Sequence, residues 1–281
     1  MKILLLIVPF CLCGCDFFRK NPDPPKKEEV VGNINKVIIL AGQSNMEGHD
    51  SQFITLPKET RDKYKGSHDN VKIIYDNMFY GNKVEEFVPV DFGQGVSINH
   101  FGPEVGLAYK LGKETPQYNY YFIKSCKGGS CLATDWCESA AVYDQFFTDV
   151  DAALDLLTSS GISFEISAFM WMQGESDASN IKYLEAYSEN ELTLISKIKE
   201  EYANYVAPDF SFIDAGISTD GAWLLADEIN SAKKETVSAN ANYKYISESE
   251  TLSKINSAHY TASSYLTLGE AFATKYLEVH K

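Results

Sequence analysis

A chain of 281 residues, 44% hydrophobic and 13% aromatic, has room for one α/β domain of roughly 200–250 residues with a single large core, plus an extension. Its formal net charge of −14 excludes a surface that tracks nucleic-acid phosphates or an anionic membrane face, since both need clustered Lys and Arg. A neutral substrate fits that charge, and so does solubility alone.

In chain order, Lys2 precedes an apolar run over 3–12 that is too short for a permanent membrane span, and Leu12-Cys13-Gly14-Cys15 follows. This pattern resembles a bacterial lipoprotein signal over 1–15, with Cys15 as the lipidated residue, which implies an exported protein held to a membrane by its N-terminal lipid alone. Residues 16–35, with Asn21-Pro22-Asp23-Pro24-Pro25 and a Lys-Lys-Glu-Glu run, read as a flexible tether, so the folded domain is expected over 36–281. Strands are predicted over 37–41, 71–75, 118–124, 164–172, 210–213 and 243–246. Helices are predicted over 104–113, 141–157, 182–202, 222–239 and 263–276, from apolar residues at helical spacing. Strands alternating with helices imply crossover units, hence a parallel sheet covered on both faces.

Candidate chemistry gathers at the strand ends. The first strand stops at Ala41-Gly42 and is followed by Gln43-Ser44-Asn45-Met46. In an open α/β sheet that turn opens at the carboxyl edge, where ligands bind. Lys124-Ser125-Cys126-Lys127-Gly128-Gly129-Ser130 follows the third strand, and Gln173-Gly174-Glu175-Ser176-Asp177 the fourth. His259 stands ahead of the closing helix. All these ends share one edge of a parallel sheet and can meet Ser44. Of the six cysteines, Cys126, Cys131 and Cys137 lie in the domain. Export permits a disulfide between two of them, worth about 2–3 kcal/mol if unstrained, while three sulfurs without a nearby histidine argue against zinc.

The ordered blocks GQSNMEG around Ser44, Phe101-Gly102-Pro103-Glu104-Val105-Gly106, Lys127-Gly128-Gly129-Ser130 with Trp136, and Gln173-Gly174-Glu175-Ser176-Asp177 resemble the sialate O-acetylesterase and acetylxylan esterase branch (carbohydrate esterase family six) of the SGNH hydrolases. The resemblance runs from about residue 36 to the end. It implies a three-layer α/β/α, flavodoxin-like fold with a central parallel sheet, a serine nucleophile, no metal or other cofactor, and removal of O-acetyl groups from carbohydrate.

Ester hydrolysis needs a hydroxyl activated by a base and donors for the oxyanion. Ser44 supplies the hydroxyl. Expected oxyanion donors are the backbone N–H of Ser44, that of Gly129, and the side-chain amide of Gln173. Asn45 is expected to hold the turn or touch substrate, and Asp177 to bind or cap. Among the five histidines, His68 lies between strands, His280 at a chain end where disorder is expected, and His49 and His100 near turns. His259 is left as the base. The resembled family has Asp-x-x-His there, whereas this chain has Asn256, which brings no charge to stabilise imidazolium. Either Glu175 supplies the acid, as the favoured expectation, or the chain is a catalytically weakened glycan-binding protein of the same fold.

Overall fold

The computed structural model describes residues 35–66 and 68–280. The signal, Cys15 and nearly all of the tether lie outside them. In chain order the elements are β1 (Asn35–Gly42), α1 (Ser44–Glu47), α2 (Lys58–Tyr64), β2 (Val71–Asn77), β3 (Asn82–Pro89), α3 (Glu104–Glu114), β4 (Asn119–Cys126), α4 (Leu132–Asp135), α5 (Ala141–Ser159), β5 (Phe164–Met172), α6 (Ile181–Leu184), α7 (Tyr187–Glu201), β6 (Val206–Ala215), α8 (Ala226–Ser238), β7 (Lys244–Ile246) and α9 (Ala262–Leu277).

The seven strands form one sheet in the order β3-β2-β4-β1-β5-β6-β7, parallel throughout except for the β2–β3 pair. Strand β1 lies at the centre with seven of its eight residues buried, which explains its unbroken β-branched run. Helix α3 packs on α9, and α7 on α8. Right-handed crossovers put α5, α7 and α8 on one face of the sheet and leave α3 and α9 the other. Strand β3 was not predicted: NKVEEFVP has two adjacent glutamates and is half exposed, as suits an edge strand that charge protects from further pairing. The expected helix over 182–202 is two helices, α6 and α7, interrupted at Glu185 and Ala186.

Register decides where the chemistry meets. Gly42, the last residue of β1, pairs with Cys126 at the end of β4 and with Met172 at the end of β5. Three strands therefore stop level, and the turns after them face one another. A Cβ on Gly42, whose φ is +143°, would lie 2.1 Å from the Met172 carbonyl oxygen; only glycine lets the chain turn there. The cysteines at this edge are unbonded to each other: Cys126 and Cys131 are buried thiols and Cys137 is exposed.

Candidate active site

Ser44 opens α1, directly after the Gly42 turn, and is 7% exposed. Its hydroxyl makes no hydrogen bond to another described residue, and the backbone N–H groups of Ser44 and Gly129 donate to no acceptor among them. Gly129, at φ +72°, lies on the glycine turn, which is pinned just ahead of it: Lys127 N–H donates to the Gly42 carbonyl (3.0 Å) and Gly128 N–H to Glu47 Oε2 (2.7 Å).

His259 comes to this edge through Asn45. The Asn45 amide donates to the Ala258 carbonyl (3.0 Å), and its oxygen accepts from Tyr260 N–H (3.2 Å). The residues on either side of His259 are thus tied to the residue after Ser44. The Tyr265 hydroxyl lies 3.1 Å from Asn45 Oδ1 and accepts from His49 N–H at 3.2 Å, which draws α9 into the same cluster. The His49 ring packs 5.1 Å from the His259 ring, and its Nε2 donates to Glu47 Oε2 at 2.8 Å.

The carboxylate on His259 is neither Glu175 nor a residue at 256. His259 Nδ1 lies 2.5 Å from Asp50 Oδ2. Asn256 donates its amide to the same oxygen (2.7 Å) and accepts the Ala258 and His259 N–H groups on its Oδ1, each at 2.8 Å. Asn256 therefore orients a carboxylate that arrives from the other side. Asp50 sits in the left-handed region at φ +59°, and that conformation brings its side chain back toward His259. The sequence held a faint signal, a carboxylate six residues past Ser44, but its aim depends on this backbone conformation and on the folding of the 254–260 loop.

Burial foremost holds the imidazole of His259 below its ordinary pKa, with Asp50 pulling it up and His49 pushing it down. For Asp50, partial burial acts upward, but the His259 and Asn256 hydrogen bonds prevail and its carboxyl titrates below the usual value. His259 is therefore neutral and Asp50 ionised near neutral pH.

Four expected site residues are consumed inside the protein. Glu175, 1% exposed, accepts from the Asn45 amide at 2.8 Å, and burial first of all raises its carboxyl pKa; it is two hydrogen bonds removed from the segment that carries His259. The Gln173 amide is fully buried and points to Asp177 Oδ2 (2.6 Å), the Ser130 carbonyl (3.1 Å) and Gln43 Oε1 (3.2 Å). Its two hydrogens are spoken for, so it is no oxyanion donor in this structure. Asp177, also fully buried, receives Leu132 N–H (2.8 Å) and Ala133 N–H (3.1 Å); it caps α4 and cannot touch substrate. Asn45, 2% exposed, is likewise a pin rather than a ligand.

The remaining histidines are structural or peripheral. His280, expected to be disordered, is buried, bonded to Ser211 Oγ and Asp209 Oδ2 at 3.1 Å each and stacked on Tyr276. His68 is buried beside Tyr109, and His100 binds Ser97 Oγ at 2.7 Å. The Phe101–Glu104 block serves the site from behind: buried Lys124 Nζ donates to Glu104 Oε2 (2.8 Å) and the Glu47 carbonyl (3.1 Å), and Gly102 N–H donates to Glu104 Oε1 (2.8 Å). Among the described residues, no three His, Cys, Asp or Glu side chains converge as a metal site.

The fold is similar to solved structures of low identity. A protein from Arabidopsis thaliana matches at TM-score 0.66 and 21% identity, over 87% of this chain and 98% of its own. NanS matches at TM-score 0.63 and 14% identity, over 88% and 98%. A carbohydrate acetylesterase from Xanthomonas citri matches at TM-score 0.59 and 15% identity, over 86% of this chain but 56% of its own. No curated protein matches the sequence. The family model of carbohydrate esterases described as sialic acid-specific acetylesterases matches residues 34–278. The chain therefore belongs to that family, and its activity is that of an esterase acting on acetylated sugars.

Proposed function

We propose that the chain is an exported serine esterase in which Ser44, His259 and Asp50 form the catalytic triad. The observation that carries this reading is the 2.5 Å contact between His259 Nδ1 and Asp50 Oδ2, on a loop tied to the residue beside Ser44. With Nδ1 held, Nε2 of the neutral ring is the free basic nitrogen. Ser44 Oγ attacks the acetyl carbonyl and its proton passes to His259 Nε2. The oxyanion is received by the Ser44 and Gly129 N–H groups, which donate to no acceptor among the described residues. The intermediate collapses as the imidazolium protonates the departing sugar oxygen. A water deprotonated by His259 then attacks the acetyl-enzyme and releases acetate.

Asn256 was the one motive for a binding protein that has lost catalysis, and a carboxylate supplied by Asp50 removes it. The substrate class is acetylated carbohydrate, and the Cys15 pattern supports anchoring of the exported enzyme by its N-terminal lipid. Ser44→Ala tests the chemistry: hydrolysis of p-nitrophenyl acetate and acetate release from acetylated sugars should both fall by about 10³-fold or more. A folded Ser44→Ala protein that keeps wild-type rates overturns the reading.

A further inference from the structure

One histidine beside the triad keeps a nitrogen that the mechanism does not use. His49 is 7% exposed, as is Ser44. Its backbone N–H donates to the Tyr265 hydroxyl (3.2 Å) and its Nε2 to Glu47 Oε2 (2.8 Å). In a neutral ring that donates from Nε2, Nδ1 carries the lone pair and is an acceptor, yet among the described residues none donates to it. The Glu47 bond explains why a ring stands there. A buried acceptor without a donor is not explained by the fold.

The placement of that ring relative to the reacting groups is fixed. Glu47, fully buried, accepts from Gly128 N–H on the oxygen that holds His49 and from Phe79 N–H on the other, at 2.7 and 2.9 Å. The ring lies so close to Gly128 that a Cβ there would stand 2.7 Å from Nε2 and 2.9 Å from Cε1, and Cε1 is the carbon bonded to Nδ1. Gly129, the next residue, carries the oxyanion N–H. The His259 ring lies 5.1 Å away at a tilt of 32°, and the Phe79 ring closes a further side at 4.9 Å. His49 therefore stands between the oxyanion turn and the base, and an ester that reaches both is flanked by it.

We infer that His49 Nδ1 accepts a hydrogen bond from a free hydroxyl on the sugar carbon next to the acetylated one, which makes His49 a specificity-determining residue. This rests on the esterase reading and narrows its substrate to partly acetylated sugar, with the hydroxyl beside the ester left free. A sugar acetylated at both positions offers only ester oxygens, which cannot donate, and leaves Nδ1 buried without a partner. Sites built to bind a hydroxyl reject analogues that lack it for this reason.

The test measures acetate release from monoacetylated methyl glycosides of xylose and of sialic acid whose vicinal hydroxyl is free, each paired with the same ester carrying hydrogen in place of that hydroxyl. The wild type should favour the hydroxyl-bearing ester about five- to tenfold in kcat/KM. Two amides separate the two ring nitrogens. His49→Gln reaches the Nε2 position and can keep the Glu47 bond without an acceptor at Nδ1, whereas His49→Asn places its amide near Nδ1 and gives up Glu47. The preference should fall to about one in His49→Gln and persist in part in His49→Asn, whatever the absolute rates. Because each ratio is taken on one preparation, loss of folded protein does not imitate the result. A wild-type ratio near one, or a ratio unmoved by His49→Gln, overturns the subsite while leaving the esterase standing. A wild type inactive on both series and on p-nitrophenyl acetate overturns the esterase reading itself.

Discussion

At residue 50 the chain places the carboxylate that bonds His259, and residue 256 keeps an amide that steadies it. Asp50→Asn removes the charge that stabilises imidazolium, so kcat should fall roughly 10²–10⁴-fold with the protein still folded. Glu175→Gln retains an acceptor for the Asn45 amide and should cost less than about tenfold, the reverse of what the Gln-Gly-Glu block suggests. Asn256→Ala loses one bond to Asp50 and two to backbone N–H groups, and an intermediate loss is expected. Steady-state kinetics on one acetylated substrate ranks the three; a silent Asp50→Asn removes Asp50 from the triad. The pH profile adds a sign. Burial holds His259 below the ordinary histidine value of 6.5 while Asp50 pulls it upward, so the acid limb of kcat/KM should lie below pH 6.5. In Asp50→Asn the upward pull is gone, and the limb should move to still lower pH as the plateau drops. A limb that moves upward contradicts this electrostatic account.

Between elements, two contacts carry more than their share. Helix α3 crosses α9 at glycines: a Cβ on Gly106 would lie 2.1 Å from the Leu266 carbonyl oxygen, and one on Gly269 2.0 Å from that of Pro103. Gly269→Ala must push backbone against backbone, so a loss of about 1–3 kcal/mol or more is expected in denaturant unfolding. The other contact joins α7, β6 and α8 through Glu191, Asp214 and Lys233, all buried; Lys233 Nζ bonds Asp214 Oδ1 and lies 3.8 Å from Glu191 Oε1. Burial raises both carboxyls, Asp214 to about 6, while Lys233 opposes the rise. Lys233→Met leaves two buried carboxyls without their cation and should destabilise by about 3–5 kcal/mol near pH 7. The folded pKa values would then rise further above the unfolded ones, so the folded state holds protons that the unfolded state releases, and the deficit should grow between pH 4.5 and 7.5. Thermal midpoints at those two pH values check the sign. An equal deficit at both would remove the charge argument.

For the whole molecule, the anchor is the prediction that belongs to the full chain. If Cys15 is lipidated, the protein should fractionate with membranes, and Cys15→Ala should leave it unprocessed or release it; a wild type found soluble, with its N-terminus elsewhere, rejects the anchor. The fold itself was largely legible, since the buried run of β1 and the alternation of strands and helices dictate a mostly parallel sheet, and glycine-bounded strand ends place Ser44 and Gly129 on one edge. The edge strand β3 escaped because two glutamates and half exposure give no periodic apolar face. Ser44 and His259 could be placed at that edge in advance because a turn after a central strand and a segment before the last helix are matters of order along the chain. The partner of His259 could not. Glu175 and Gln173 stand in a block that looks catalytic, but their hydrogen-bonding capacity is taken up by Asn45, Asp177, Ser130 and Gln43. Such pairing depends on which way side chains point after the strands are in register. Asp50 reaches His259 across 209 residues of chain through a left-handed backbone conformation that residue identity alone does not encode. The sequence by itself determined the central strands and main helices, their order and the edge where the chemistry sits; the tertiary structure decided which polar groups are spent holding that edge together and which remain free to react.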